Sequence, residues 1–135
     1  MQVVRVGVGD ERWEIRYNFV MIRNFEDLEV YQRAQNLYPL VVEFVRKFPK
    51  EGFHLKDQLC RAANSIQANI AEGFGRSPAE FKMYLTRALG SCNEVISHLK
   101  DALNAKFGNP EIGEKLIQEY EIIGKQIFRL REKWK

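Results

Sequence analysis

An all-α fold, an antiparallel up-down-up-down four-helix bundle, is predicted by three observations. Apolar residues recur at steps of three and four through residues 28–134, helix-start signals stand at Ser77-Pro78 and Asn109-Pro110, and the connections are short. Four amphipathic helices joined by short turns bury their stripes most simply as such a bundle. The bundle is expected over residues 21–135, with residues 1–20 as an N-terminal extension.

The first helix carries Leu28, Tyr31, Ala34, Leu37, Val41, Phe44, Val45 and Phe48 at helical spacing until Pro49 ends it. Pro39 lies inside that run and predicts a kink, because it removes one backbone hydrogen bond and crowds the preceding turn. The second helix spans Leu55 to Glu72 and stops at Gly73 or Gly75, the residue type that best tolerates a left-handed helix end. Ser77-Pro-Ala-Glu80 then places an N-cap serine, a proline in the first turn and a glutamate at the third position. The third helix continues through Phe81, Leu85, Ala88, Cys92, Val95, Leu99 and Leu103 as far as Gly108. After Asn109-Pro110 the fourth carries Ile112, Leu116, Tyr120, Ile123, Ile127, Leu130 and Trp134.

The extension reads differently. Val4, Val6 and Val8 alternate with polar or small residues, as do Trp13, Ile15, Tyr17 and Phe19, across a Gly9-Asp10 turn. That is a hairpin pattern, confined to residues before Met21, and an isolated hairpin needs a surface to pack on. The other reading is a disordered extension with Met21 as the working start.

A chain of 135 residues is long enough for one well-packed domain. No apolar run approaches the ~18–20 residues of a membrane span, and no basic segment precedes an apolar one, so a cytoplasmic protein is expected. Cys60 and Cys92 sit at or beside apolar helical positions and read as small core hydrophobes. His54 and His98 have no ligand partners at metal spacing, so no metal and no cofactor is assigned. The net charge of +3 matters less than where the charges lie.

Two polar stripes stand out. Arg61, Ser65, Asn69 and Glu72 line the second helix beside its apolar stripe, and Arg87, Ser91, Glu94 and His98 line the third. In a hairpin turning near Gly75 and Arg76, Arg61 falls opposite Glu94, and Glu72 falls opposite the first turns of the third helix. A buried Arg61–Glu94 bridge is therefore expected, within a structural network that fixes helix register or a subunit contact. Neither stripe offers a nucleophile beside a base, so no catalytic residue is assigned. Gly73-Phe-Gly75 before a helix start is a pattern that can bind phosphate, but Ser77 already caps those amides and no lysine-serine pair follows, so helix stop and restart is the reading.

The run Arg61-Ala-Ala-Asn-Ser-Ile-Gln-Ala-Asn-Ile-Ala-Glu-Gly-Phe-Gly-Arg76 resembles the signature of the 23S ribosomal RNA intervening-sequence proteins, small four-helix bundle proteins. Phe25-Glu-Asp-Leu28, Phe48-Pro49, Ala88-Leu-Gly-Ser91 and Glu94 extend the resemblance, which covers Met21 to the C-terminus. Gln67 departs from it, standing where the family often has proline, which implies a straighter second helix. The resemblance implies a small antiparallel bundle with no settled biochemical activity that assembles into a ring, a pentamer being the expected form; with no catalytic residue assigned, a non-enzymatic protein is expected. By analogy with relatives that serve diversity-generating retroelements, it also implies a basic ring face that engages RNA and a reverse transcriptase.

Connectivity places the turn between the second and third helices at the same end as the C-terminus. Arg76, Lys82, Arg87, Lys125, Arg129, Arg131, Lys133 and Lys135 gather there against fewer acids. Arg76, Lys82, Arg129 and Lys133 are the nucleic-acid-binding candidates, and repetition around a ring would strengthen a salt-sensitive phosphate contact. Lysines near a helix C-terminus are also what the helix dipole favours. Oligomerisation is expected because Val30, Tyr38, Val42, Phe74, Met83, Tyr84, Ile96, Ile117, Ile122 and Phe128 fall outside the main stripes. Two functions follow as expectations: a homo-oligomeric scaffold, and an RNA-binding accessory protein acting through the basic face.

Overall fold

The structure, a computed structural model, describes residues 3–8, 12–17 and 20–135. Four helices make up the bundle: α1 (Glu29–Val45), α2 (Phe53–Gly73), α3 (Pro78–Ala105) and α4 (Pro110–Lys133). Each packs on its neighbours in chain order, and α1 closes on α4. The α2–α3 seam is the most extensive and the α1–α4 seam the least.

Ahead of the bundle, β1 (Val3–Val8), β2 (Arg12–Tyr17) and β3 (Val20–Ile22) form an antiparallel meander. Val3 pairs with Tyr17 and Val8 with Arg12, while Ile15 pairs with Ile22. The expected Gly9-Asp10 turn, and Phe19, lie outside the described residues. Strand structure runs on to Ile22, past the expected limit at Met21, because the Ile22 side chain is buried in the bundle core and ties the last strand to it.

Capping fixes the helix starts. Asn24 Oδ1 accepts from the Glu26 amide (2.9 Å), and Asp27 accepts from the Asn24 amide (3.3 Å), closing a box just before α1. The Glu80 amide donates to Ser77 Oγ (3.2 Å) at α3, and the Ile112 amide donates to Asn109 Oδ1 (3.1 Å) at α4. Lys106 and Gly108, both with positive φ, end α3. Pro39 lies exposed on α1, and the helix runs on through it.

An aromatic cluster closes each end of the core. Phe74, Phe81 and Trp134 meet edge to face where the α2–α3 turn faces the C-terminus. Phe44, Phe48 and Phe107 meet at the other end. Gln126 of α4 reaches Glu29 at the start of α1, so both termini of the helical core share the Trp134 end.

Several apolar residues expected outside the core are covered within the monomer. Val30, Tyr84 and Ile117 are buried, and Phe74 packs on Phe81 and Trp134. Met83, Ile122 and Phe128 remain exposed. Ile112, expected in the core stripe, is exposed as well, because the open α1–α4 seam does not cover the first turn of α4.

Candidate functional site

The α2 and α3 polar stripes meet only at their short side chains. The Ser65 and Ser91 hydroxyls share a hydrogen bond across the seam, and Asn69 Nδ2 donates to the Ser65 carbonyl (2.8 Å). At the end of α2, Glu72 Oε1 accepts from the Tyr84 hydroxyl (3.4 Å), in the same register. Small residues let the two backbones approach, and the hydroxyls satisfy one another there.

The Arg61–Glu94 bridge does not form. Arg61 is 79% exposed and pairs with Asp57 one turn earlier on its own helix (3.0 Å), while Glu94 lies beside His98 (3.4 Å) on α3. A carboxylate at i−4 is within reach without desolvating either group, so the local pair wins over one that would have to be buried in the seam.

Arg87, expected in that network, instead joins a cation–π arrangement at the α2–α3 turn. The Arg76 and Arg87 guanidinium carbons lie 5.0 and 4.9 Å from the centroid of the Tyr84 ring. Gly73 makes room for that ring, since a Cβ at this position would lie 2.4 Å from Tyr84 Cβ. Arg76 is further held by its Nε donating to the Glu72 carbonyl (2.9 Å) and by Glu80 (3.6 Å). The hydroxyl of Ser77 bonded to Glu80 holds that carboxyl below its ordinary pKa.

Lys82, Arg129 and Lys133 sit at the same end. The Arg131 guanidinium donates to Thr86 Oγ1 (3.2 Å), which sets α4 beside α3 one residue from Arg87. Arg131 itself lies over Phe128 and beside Glu132. Among the described residues none of Lys82, Arg87, Arg129 and Lys133 has a carboxylate at ion-pair distance, whereas Arg46, Arg61 and Arg76 each have one and Arg33 has two.

The core holds other polar groups, of which sequence reasoning missed Gln67. Gln67 is 5% exposed and, among the described residues, neither end of its amide has a partner. Its place at i+4 from Ala63 and i−3 from Ile70, on the buried stripe of α2, was the signal available. Burial pushes the Cys92 thiol up to about 12, and that thiol donates to the Tyr120 carbonyl (3.0 Å). Burial also raises Tyr120 and Cys60, so neither cysteine is a thiolate nucleophile at neutral pH. No group of metal-binding side chains occurs among the described residues. A groove of about 910 Å³ opens along the α1–α4 seam, floored by Leu37, Phe44, Ile112 and Leu116. A second, of about 700 Å³, follows the α3–α4 seam beside Phe128 and Ile96.

The model of the 23S rRNA-intervening sequence proteins matches residues 26–129, which include the serine seam, the Tyr84 arrangement and most of the basic end. The chain belongs to this family. No curated protein matches the chain. The chain is similar in fold to a protein of unknown function from the S23 ribosomal protein family of Bacteroides thetaiotaomicron, with a TM-score of 0.70 and 24% identity. That alignment covers 76% of this chain and 95% of the other. No helix among the described residues of this family member is long and apolar enough to cross a membrane.

Proposed function

We propose that this chain is a non-enzymatic scaffold that works as a closed homo-oligomeric ring in the cytoplasm, with five copies the expected number. The observation that carries this reading is apolar surface left open on both sides of α4. Leu40 (54% exposed) and Ile112 (48%) flank the α1–α4 groove, and Phe128 (50%) flanks the α3–α4 groove. A head-to-tail ring requires two different faces on each copy, and these seams supply two. Light scattering on the purified chain tests it. A multiple of the monomer mass is expected, with Ile112→Glu and Phe128→Glu each shifting the population toward monomer. A parent chain that is monomeric at micromolar concentration overturns the proposal.

A second reading is favoured by cations at one end, Lys82, Arg129 and Lys133, that have no carboxylate partner among the described residues: an RNA-binding accessory protein that uses this end of the bundle. Ring symmetry would multiply a modest patch, and binding would be electrostatic with little sequence selectivity. Retardation of a structured RNA at ~50 mM salt, falling steeply as salt rises, is expected. The Arg129→Glu/Lys133→Glu variant should bind more weakly while keeping the parent's mass; absence of retardation, or a variant that binds as the parent does, refutes the reading.

A further inference from the structure

We propose that Arg87, laid against the Tyr84 ring, is the residue that grips the phosphodiester backbone of a bound RNA, and that Tyr84 and Gly73 exist in this geometry to preorganise it. The inference rests on the RNA-binding reading above and names the gripping group within it. Two guanidiniums meet one aromatic ring, at 4.9 and 5.0 Å, but their charges are differently committed. Arg76 is anchored by the Glu72 carbonyl and the Glu80 carboxylate. Arg87 has the ring and, among the described residues, no carboxylate at ion-pair distance, so its N–H edge is available to an outside anion.

The ring is itself fixed. Tyr84 is 8% exposed, its hydroxyl donates to Glu72, and its Cβ occupies the space that any side chain at position 73 would take. An arginine lying against an immobile ring loses less rotational freedom on binding than one free in solvent. Its planar fork matches two oxygens of a phosphodiester, a geometry that a lysine does not reproduce. The ligand is an extended polyanion rather than a free phosphate, because Arg87 stands on open surface and Arg76 presents a second guanidinium across the same ring.

Fluorescence anisotropy of a labelled RNA hairpin with the full chain at ~50 mM salt tests the inference, with thermal melts to show that each variant is folded. Arg87→Lys keeps the charge and loses the fork, and should weaken binding about 3–10-fold with little change in salt slope. Arg87→Ala should weaken it further and lower the slope by about one. Tyr84→Phe keeps the ring and should bind within about twofold of the parent, whereas Tyr84→Leu should approach the Arg87→Lys value. If Arg87→Lys binds as the parent does, the preorganised fork is wrong. If Arg87→Ala also binds as the parent while Arg129→Glu/Lys133→Glu is weakened, this assignment falls and the RNA reading stands. If the parent does not bind at all, both fall together.

Discussion

Replacing Gln67 with methionine should stabilise the protein. The side chain is 5% exposed on α2, and its amide nitrogen and oxygen both lack partners among the described residues. An unpaired buried polar group costs about 1–3 kcal/mol relative to the same group in water. Glutamine and methionine have unbranched stems of similar length, similar helix propensity and similar rotamer freedom to lose, so the substitution isolates the desolvated amide. A gain of about 1–3 kcal/mol corresponds to roughly 3–12 °C in Tm for a domain of this size. Calorimetry of both proteins at one matched concentration is the assay, since any oligomer makes Tm depend on concentration. A Gln67→Met protein that melts at or below the parent would show that the amide is satisfied in solution, and the reasoning would fail.

Gly73→Ala should destabilise by about 1–3 kcal/mol, because the new methyl would lie 2.4 Å from Tyr84 Cβ and overpacking outweighs the gain in helix propensity; urea titration reads it, and an unchanged midpoint refutes it. Glu94→Ala and Arg61→Ala should each change stability by less than about 1 kcal/mol, since both side chains are largely exposed and their pairs are local; a loss of several kcal/mol in the same titration would restore the buried bridge. Because burial raises Cys92 above its ordinary value to about 12, the folded state holds a proton that the unfolded state gives up first. Stability should therefore decline as pH rises from about 9 toward 12, with Tyr120 acting in the same direction, and Cys92→Ala should flatten the decline in a series of alkaline melts. An unchanged slope would place the thiol in water.

The bundle was legible because its signals are local. Ser77-Pro78 and Asn109-Pro110 start α3 and α4 through hydrogen bonds made within one turn, and the stripes of Leu85, Cys92 and Leu99 or of Leu116, Ile123 and Ile127 are buried where a 3.6-residue period puts them. Stripe edges were not legible. Tyr84 is buried because Gly73 lets it in from the adjacent helix, and Ile112 is exposed because the α1–α4 groove leaves the first turn of α4 uncovered; neither fact is in the periodicity of its own helix. The α2–α3 register was readable, as the Ser65–Ser91 contact and the Tyr84–Glu72 bond show. The partner choice of long side chains was not, because Arg61 reaches Asp57 as easily as anything across the seam and gains solvent by doing so. Likewise Arg87 sits on the polar stripe in sequence, yet its ring partner three residues earlier decides what it does.

Stability and the proposed recognition rest on different atoms, although both are concentrated at one end of the bundle. Trp134 packs on Phe74 and Phe81, which pins the last turn of α4 against the α2–α3 turn. That packing fixes the level at which Arg129 and Lys133 stand relative to Arg87, while the cations themselves make no ion pair among the described residues. Like charges gathered at one end of the bundle without carboxylate partners among the described residues disfavour the free protein slightly, and a polyanion that neutralises them relieves the repulsion. Removing Arg129 and Lys133 should therefore leave Tm unchanged or raise it, whereas Trp134→Ala should cost about 3–5 kcal/mol and disperse the basic end with it. The two variants separate loss of binding through lost charge from loss of binding through lost placement.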